Sequence, residues 1–194
     1  MNYLAHSFLS GTHDLLLAGN FVGDFVKGRN LDTYPVMMQH GVLLHRFIDT
    51  YTDSSAIIKE SKALFASEYG KYAGVIVDIV YDYFLSLHWN SFSGVSKDFF
   101  ISGVYSILQT YFYVLPLRAQ RVLYPIIYYN WLRNYGSLYG VQKVLNRMSV
   151  RTSLPNKADV CMLILRKHHY ELEQHFLAFF PGLCNAVDVE IELL

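Results

Sequence analysis

The sequence predicts an all-α fold, a single compact multi-helix domain that covers residues 1–194. Apolar residues recur every three to four positions through most of the chain, which is the period of an amphipathic helix. No segment alternates apolar and polar residues convincingly, as a half-buried strand would. The composition is 53% hydrophobic and 16% charged, so a chain of 194 residues can bury a full core within one domain.

The predicted helices follow one another with short connections and without internal repeats. In chain order they cover residues 2–9, 13–26, 35–51, 54–67, 69–88, 96–113, 116–134, 136–148 and 156–180. Proline lacks a backbone N–H and clashes with the preceding helical turn, and four prolines mark boundaries of these helices. They are Pro35, Pro116, Pro155 and Pro181. Asp53 is expected to cap the helix that follows it, and the weakly patterned tail after Gly182 is expected to fray.

The longest uncharged stretch, residues 99–117, is close to the length that crosses a bilayer. Its polar residues recur at helical spacing and Pro116 lies near its end, so a core helix with one polar face is expected rather than a membrane span. These polar residues are Ser102, Ser106, Gln109 and Thr110. The start of the chain lacks the basic leader and long apolar run of a signal peptide, and its two cysteines form no disulfide or zinc pattern. A cytoplasmic location is therefore expected.

Two pairs of ionisable residues, each spaced four apart, stand in apolar segments. Asp78 and Asp82 are the only charged residues of the stretch YAGVIVDIVYDYFLSL and share one face of its predicted helix. At roughly 6 Å and an effective dielectric constant of about 20, their repulsion would be about 3 kcal/mol. A bound cation would remove this penalty, and His45 with Asp49 repeats the spacing with donor atoms that divalent metals use. A metal site is therefore the leading hypothesis.

Both pairs are also compatible with arrangements that need no metal. On a solvated helix face, two carboxylates four residues apart repel by only a few tenths of a kcal/mol. One carboxylate could also be protonated, or pair with an arginine from elsewhere. His6 and Asp24 are further candidates. The glycines at positions 19, 23 and 28, around Asp24, permit close approach of either a ligand or a second helix.

Two further patterns are discounted. The dipeptide His13–Asp14 matches that of HD-type phosphohydrolases, but it lies beside a Gly–Thr turn. His168, Glu171 and His175 share a helix face, but their segment is highly charged and typical of a solvated surface. No nucleophile elbow, P-loop, dinucleotide fingerprint or HExxH motif occurs, so serine-type acyl transfer and nucleoside-triphosphate chemistry have no support.

Charge is unevenly distributed, although the net charge is zero. Residues 99–158 contain no acidic residue and seven basic ones. The basic residues are Arg118, Arg121, Arg133, Lys143, Arg147, Arg151 and Lys157. Such a segment suits an acidic partner, either a protein or a phosphate backbone, unless its charges are simply spread around a solvated surface.

Six segments, in order along nearly the whole chain, resemble the acyl carrier protein phosphodiesterase family. They are MNYLAH, GNFVGDFVKG, GVLLHRFIDTYTD, DIVYDYFLSLHW, VLNRMSVR and FLAFFP. The resemblance implies an all-helical fold, distantly similar to HD-domain phosphohydrolases. It implies hydrolysis of the phosphodiester that joins 4′-phosphopantetheine to a serine of holo acyl carrier protein, which leaves the apo form. It also implies a divalent metal, usually Mn²⁺, with Mg²⁺ or another divalent ion possible.

The resemblance and the residue types together give a set of expected roles. The expected metal ligands are Asp24, His45, Asp49 and Asp78. The expected catalytic residues are Asp24, Asp82 and His6. Those expected to contact substrate or partner are Arg46, Arg147 and Arg151. The partner is an acidic carrier protein, and no nucleic acid is expected. Two alternatives are an HD-type nucleotide phosphohydrolase and a non-enzymatic RNA-binding helical protein that stacks bases on its tyrosines.

Overall fold

Twelve α-helices and three short 3-10 turns make up the computed structural model, which describes residues 1–194 and contains no β-strand. The helices are α1 (Tyr3–Phe8), α2 (Asp14–Val22), α3 (Val36–Ser54), α4 (Ala56–Tyr69), α5 (Ala73–Leu87), α6 (Trp89–Phe92), α7 (Lys97–Thr110), α8 (Leu117–Tyr128), α9 (Trp131–Asn134), α10 (Leu138–Arg151), α11 (Ala158–Lys167) and α12 (His169–Glu192). The 3-10 turns are Gly23–Phe25, Gly70–Tyr72 and Phe112–Val114. The all-α prediction is confirmed.

Helix α5 passes through the centre of the core. Eleven of its residues are buried, which agrees with a segment that is apolar on nearly every side. Helices α1, α4, α10 and α12 all pack against it. A single hydrophobic cluster of 52 buried residues joins these helices, so the domain has one continuous core.

Helices α2 and α3 cross with their backbones in contact. A Cβ atom on Gly19 would lie 2.1 Å from the carbonyl oxygen of Met38, and one on Gly41 would lie 2.2 Å from the carbonyl oxygen of Leu16. Only glycine allows so close an approach. At Gly19, helix packing is therefore the reason for the glycine. The crossing holds the C-terminal half of α2 against the face of α3 that carries His45.

The C-terminal tail is not frayed, which contradicts the sequence prediction. Helix α12 continues through Pro181 to Glu192, and Pro181 is therefore not a helix boundary. Leu183 and Val187, beyond the proline, are buried in the core. Their burial favours continuation of the helix over the local break that proline would otherwise cause.

Two other predicted boundaries are wrong. Asp53 caps no helix, because α3 continues past it to Ser54 and its carboxylate accepts a hydrogen bond from Lys62 Nζ at 2.7 Å. The predicted helix 116–134 breaks at Asn130, which has a positive φ of 52°. Residue 130 precedes α9, so the chain changes direction there.

The uncharged stretch 99–117 divides between α7, a 3-10 turn and the start of α8. Ile101, Val104 and Leu108 of α7 are buried, whereas the polar positions that the sequence assigns to its outer face are exposed. A core helix with one polar face is thus confirmed. None of the helices combines the length and the apolar character that crossing a bilayer requires.

Candidate active site

A cavity of about 320 Å³ opens beside the start of α1, and its walls come mainly from α1, α3 and α5. Five of the six residues expected to form the catalytic and metal site line it. They are His6, Asp24, His45, Asp49 and Asp78. The sixth, Asp82, does not line the cavity. Met148 of α10 contributes to the wall, so the basic segment 99–158 also reaches this cavity.

Two histidines and a carboxylate meet at the cavity. His6 Nε2 lies 3.4 Å from Asp49 Oδ1, and His45 Nε2 lies 3.2 Å from Asp49 Oδ2. The potential ligand atoms of these three residues all lie within 4.8 Å of one another. Asp24, in the 3-10 turn after α2, brings Oδ1 to 3.4 Å from His45 Nε2. His45 and Asp49 share a face of α3 because they are four residues apart, whereas tertiary packing brings the other two residues to them.

The two imidazole rings are stacked, with centroids 4.2 Å apart and an interplanar angle of 21°. Both rings contact one buried side chain, that of Asn20 on α2. Its Oδ1 lies 2.8 Å from His6 Nδ1 and 3.2 Å from His45 Nδ1. Sequence reasoning missed Asn20. Its position within an apolar helix was a usable signal, because a buried amide needs hydrogen-bond partners.

The charges around His45 favour its protonated form when no cation is bound. Burial alone would lower the pKa of His45, but the carboxylates of Asp24 and Asp49 raise it to about 9. The nearby His45 imidazole lowers the pKa of Asp24, although burial opposes this. Burial alone would raise the pKa of Asp49, but His45 and His6 lower it well below its usual range. Burial lowers the pKa of His6, which favours its neutral form.

The residues present fit a divalent cation. His45 Nε2 is buried and makes no hydrogen bond of good geometry, although two carboxylates flank it. A buried polar atom without a partner is costly, and a metal ion bound to its lone pair would remove that cost. Imidazole nitrogens combined with carboxylate oxygens are a common ligand set for divalent transition metals. The structure thus contains a His/His/Asp cluster that could hold a metal ion.

Asp78 lines the cavity but has a partner that the sequence does not indicate. The α-amine of Met1, itself buried, donates a hydrogen bond to Asp78 Oδ1 at 2.9 Å. Burial raises the pKa of Asp78, and the nearby ammonium group opposes this rise. Burial alone would lower the pKa of the Met1 amine, but Asp78 raises it above its usual value. A cation held within the chain thus offsets the charge of Asp78, for which the sequence suggested a metal.

Asp82 lies away from the cavity and contacts the start of α1. Its side chain is fully buried and accepts hydrogen bonds from the backbone N–H groups of Asn2, Leu4 and Ala5, at 3.3, 2.8 and 3.1 Å. These donors lie at the N-cap and in the first turn of α1, where unpaired N–H groups and the helix dipole favour a negative charge. A catalytic role of Asp82 stays a prediction from the sequence; in the structure its carboxylate anchors the helix that carries His6.

Arg46 does not line the cavity. Its Nη2 donates to the backbone carbonyls of Val26 and Gly28, at 3.2 and 2.7 Å. These carbonyls belong to the loop after Asp24. Gly28 has a positive φ of 83°, so a turn of the backbone requires glycine at this position. The expected contact of Arg46 with a substrate phosphate stays a prediction; in the structure Arg46 holds the loop after Asp24.

Arg147 and Arg151 lie one turn apart on α10 and both approach the ring of Tyr129. Their guanidinium carbons are 4.2 and 5.7 Å from its centroid. Neither arginine forms an ion pair, and Nη1 of Arg147 is buried without a hydrogen-bond partner. Arg147 directly precedes Met148, which lines the cavity, and Arg151 follows Met148 by three residues. The structure therefore leaves their positive charges uncompensated close to the candidate site.

Comparisons with known proteins show the family of the chain. The family model described as "Acyl carrier protein phosphodiesterase" matches residues 1–183. A protein of that name from Salmonella agona is 31% identical over 187 residues, which cover 94% of this chain and 95% of the relative. Proteins of the same name from Yersinia pestis and Photorhabdus laumondii are each 29% identical, over 94% and 97% of this chain and 95% and 96% of their own length.

No solved structure matches the chain, so the expected distant likeness to HD-domain phosphohydrolases stays a prediction. The family match, by contrast, covers almost the whole domain, including every residue that lines the cavity. The chain belongs to the acyl carrier protein phosphodiesterase family.

Proposed function

We propose that this protein hydrolyses the phosphodiester of holo acyl carrier protein in a metal-dependent reaction that releases 4′-phosphopantetheine and leaves the apo carrier. Membership of the family supports the reaction, since its relatives carry the name of that activity. The observation that carries the proposal is the cluster of His6, His45 and Asp49 beside an open cavity.

Four side chains would hold a divalent cation: His6, His45, Asp49 and Asp24. The first three have their potential ligand atoms grouped closely, and Asp24 adds an oxygen 3.4 Å from His45 Nε2. Mixed imidazole and carboxylate ligands suit Mn²⁺, and Mg²⁺ or another divalent ion is the alternative. When bound, such a cation would polarise the phosphoryl group and stabilise the negative charge that develops on its oxygens.

Asp78 is the carboxylate best placed to handle a proton. It lines the same cavity, and its raised pKa brings it closer to the working pH of a general base. It would accept the proton of the water that attacks phosphorus. The bond between phosphorus and the serine oxygen then breaks, and Asp78 returns the proton to that oxygen. The Met1 amine would keep the carboxylate oriented for both transfers.

The carrier protein would dock on the acid-free segment 99–158, where Arg147 and Arg151 stand before and after Met148, the residue of this segment that lines the cavity. Carrier proteins are small and acidic, so complementary charge would speed encounter and set orientation. Tyr129 fixes the two guanidinium groups without neutralising them. A cytoplasmic location remains a prediction from the sequence.

The experiment is to incubate the protein with holo acyl carrier protein and Mn²⁺, and to weigh the carrier by mass spectrometry. We expect the carrier to lose the mass of one phosphopantetheine arm, and the reaction to stop with EDTA. His45→Ala should abolish turnover. His168→Ala is the matched control, since His168 pairs with Glu171 in another part of the molecule. An unchanged carrier mass, combined with phosphate release from nucleotides or salt-sensitive RNA binding that survives EDTA, would favour the alternatives.

A further inference from the structure

We propose that Asn20 is a positioning residue that orients both histidines, with each Nδ1–H directed to the amide oxygen and each Nε2 left for a ligand in the cavity. The inference rests on the proposed function only for the identity of that ligand. Asn20 Oδ1 lies 2.8 Å from His6 Nδ1 and 3.2 Å from His45 Nδ1. A carbonyl oxygen has two lone pairs, so it can accept from both rings at once.

The orientation of the Asn20 amide follows from its other contacts. Its Nδ2 donates to the backbone carbonyl of His6 at 3.0 Å and to Ser10 Oγ at 2.9 Å. Ser10 Oγ donates its own proton to the same His6 carbonyl, at 2.8 Å, so it offers only a lone pair to the amide. A flipped amide would place its oxygen against two acceptors and lose both hydrogen bonds.

Water cannot replace any hydrogen-bond partner in this network, because its side chains are buried. Asn20 and Ser10 are both completely buried, so a donor that lost its acceptor here would stay unpaired. With its nitrogen committed to His6 and Ser10, the amide presents only its oxygen to the rings. Each ring must therefore carry a proton on Nδ1.

The position of this proton decides what each histidine can bind. A neutral imidazole has one N–H and one lone pair, and the hydrogen bond at one nitrogen selects the tautomer. With Nδ1 protonated, the lone pair resides on Nε2, the atom of each ring that lies near Asp49. One amide thus prepares two ligands, and the stacked rings cannot turn away without losing it.

The first test needs no substitution and no substrate. In ¹H–¹⁵N correlation spectra of metal-free protein, at a pH where the rings are neutral, His6 and His45 should both appear as Nδ1–H tautomers. Nε2–H tautomers in the wild-type protein would overturn the proposal. Because this measurement does not involve the carrier protein, a failure of the proposed function would leave it unaffected, and the two can be told apart.

The second test compares matched variants. Asn20→Asp keeps oxygens that accept from both rings but loses the donor to Ser10 and to the His6 carbonyl, whereas Asn20→Leu loses the acceptor as well. We expect Asn20→Asp to retain the Nδ1–H tautomers and Asn20→Leu to lose them. Asn20→Leu should also bind Mn²⁺ about ten- to a hundredfold more weakly, as measured by calorimetry, because hydrogen-bond partners of metal ligands contribute roughly this much to metal affinity.

Ser10→Ala provides the control, because it removes one contact of the amide on the side away from the rings, while Nδ2 still donates to the His6 carbonyl and keeps the amide oriented. It should change Mn²⁺ affinity by less than about threefold, below the range expected for partners of metal ligands. If Ser10→Ala and Asn20→Asp weaken Mn²⁺ binding as much as Asn20→Leu, Asn20 acts only through general stability and the inference fails. If Asn20→Leu does not fold, the wild-type tautomers still decide the question.

Discussion

The ring of His45 packs against Gly23 so closely that a Cβ atom at position 23 would be 2.1 Å from His45 Cγ. Real Cβ atoms do not approach a ring so closely, and the contact therefore requires glycine. Gly23 opens the 3-10 turn that carries Asp24, so a single residue sets the distance between that carboxylate and the imidazole.

Gly23→Ala should consequently displace His45 from Asp24 and Asp49. We expect the variant to fold, with Mn²⁺ affinity reduced about tenfold or more, because misplaced ligands lose most of their binding geometry. Gly103→Ala on α7 is the control, since a Cβ there meets nothing within 4 Å. It should bind Mn²⁺ normally and gain up to about 1 kcal/mol of stability from alanine in a helix. Equal affinity in all three proteins would show that the Gly23 contact has no role in the site.

Metal binding should release a proton from His45. Its pKa of about 9 means that the metal-free ring is protonated at pH 7.5, whereas a metal ligand must be neutral. Titration calorimetry with Mn²⁺ in buffers of different ionisation enthalpy should therefore show release of about one proton. His45→Gln should bind weakly and release none. Tight binding without proton release would contradict the assignment of His45 as a ligand.

The imidazole of His45 should make the stability of the metal-free protein depend on pH. A histidine whose pKa is raised on folding stabilises the protein below its unfolded value of about 6.5, and this contribution disappears as the pH rises through about 9. The difference in free energy of unfolding between wild type and His45→Gln should therefore shrink from pH 6.5 to 9.5. Urea denaturation of both proteins in the presence of EDTA measures this difference.

The local part of the site is predictable from the sequence, and the long-range part is not. His45 and Asp49 are found because four residues on a helix place them on one face. The charge compensation of Asp78 and Asp82 comes from the chain start, 77 to 80 residues away, and no spacing rule reveals it. Asn20 meets its two rings across 14 and 25 residues, for the same reason.

In the fold, too, local features are predictable from the sequence and long-range ones are not. The apolar period of α5 predicts both its helix and its burial, since neighbours within the helix decide both. The path of α12 beyond Pro181 depends on burial of residues that follow the proline, which local propensity cannot anticipate.

Because of Asp82, the free energy of unfolding should fall as the pH rises from about 4 to about 7. Burial raises its pKa to about 7, although three backbone N–H groups oppose the rise. The folded state then holds a proton that the unfolded state, with a pKa of about 3.9, has already lost, so the contribution is present at low pH and is lost through pH 7. Asp82→Asn cannot titrate.

Urea denaturation from pH 4.5 to 8 tests this prediction. The stability of the wild type relative to Asp82→Asn should decline over that interval. Asp188→Asn, at an exposed carboxylate on α12, should run parallel to the wild type. A constant difference between wild type and Asp82→Asn would mean that the hydrogen bonds from α1 keep Asp82 ionised throughout.

Arg46 should act on kcat rather than on carrier binding. Arg46→Met removes the hydrogen bonds to the carbonyls of Val26 and Gly28 and so frees the loop that follows Asp24. We expect kcat to fall about tenfold, since Asp24 would lose its fixed position, with little change in KM. Steady-state kinetics with holo carrier protein provides both values. A rise in KM at constant kcat would instead support a direct contact between Arg46 and the substrate phosphate.

Substitution of Arg147 or Arg151 should have the opposite effect, raising KM rather than lowering kcat. Their charges are uncompensated on a surface that reaches the cavity through Met148, and they would meet an acidic carrier before chemistry begins. Arg151→Glu should therefore raise KM about tenfold or more at low salt and leave kcat nearly unchanged, because rim charges govern encounter.

Raising the ionic strength separates this effect from damage to the fold. Salt screens exposed charges, so the difference in kcat/KM between wild type and Arg151→Glu should narrow as NaCl is increased. Arg166→Glu, at an exposed position on α11 outside segment 99–158, is the control of equal charge change and should leave KM within about twofold. If both variants weaken the reaction equally, net charge alone is responsible, and α10 is not the docking surface.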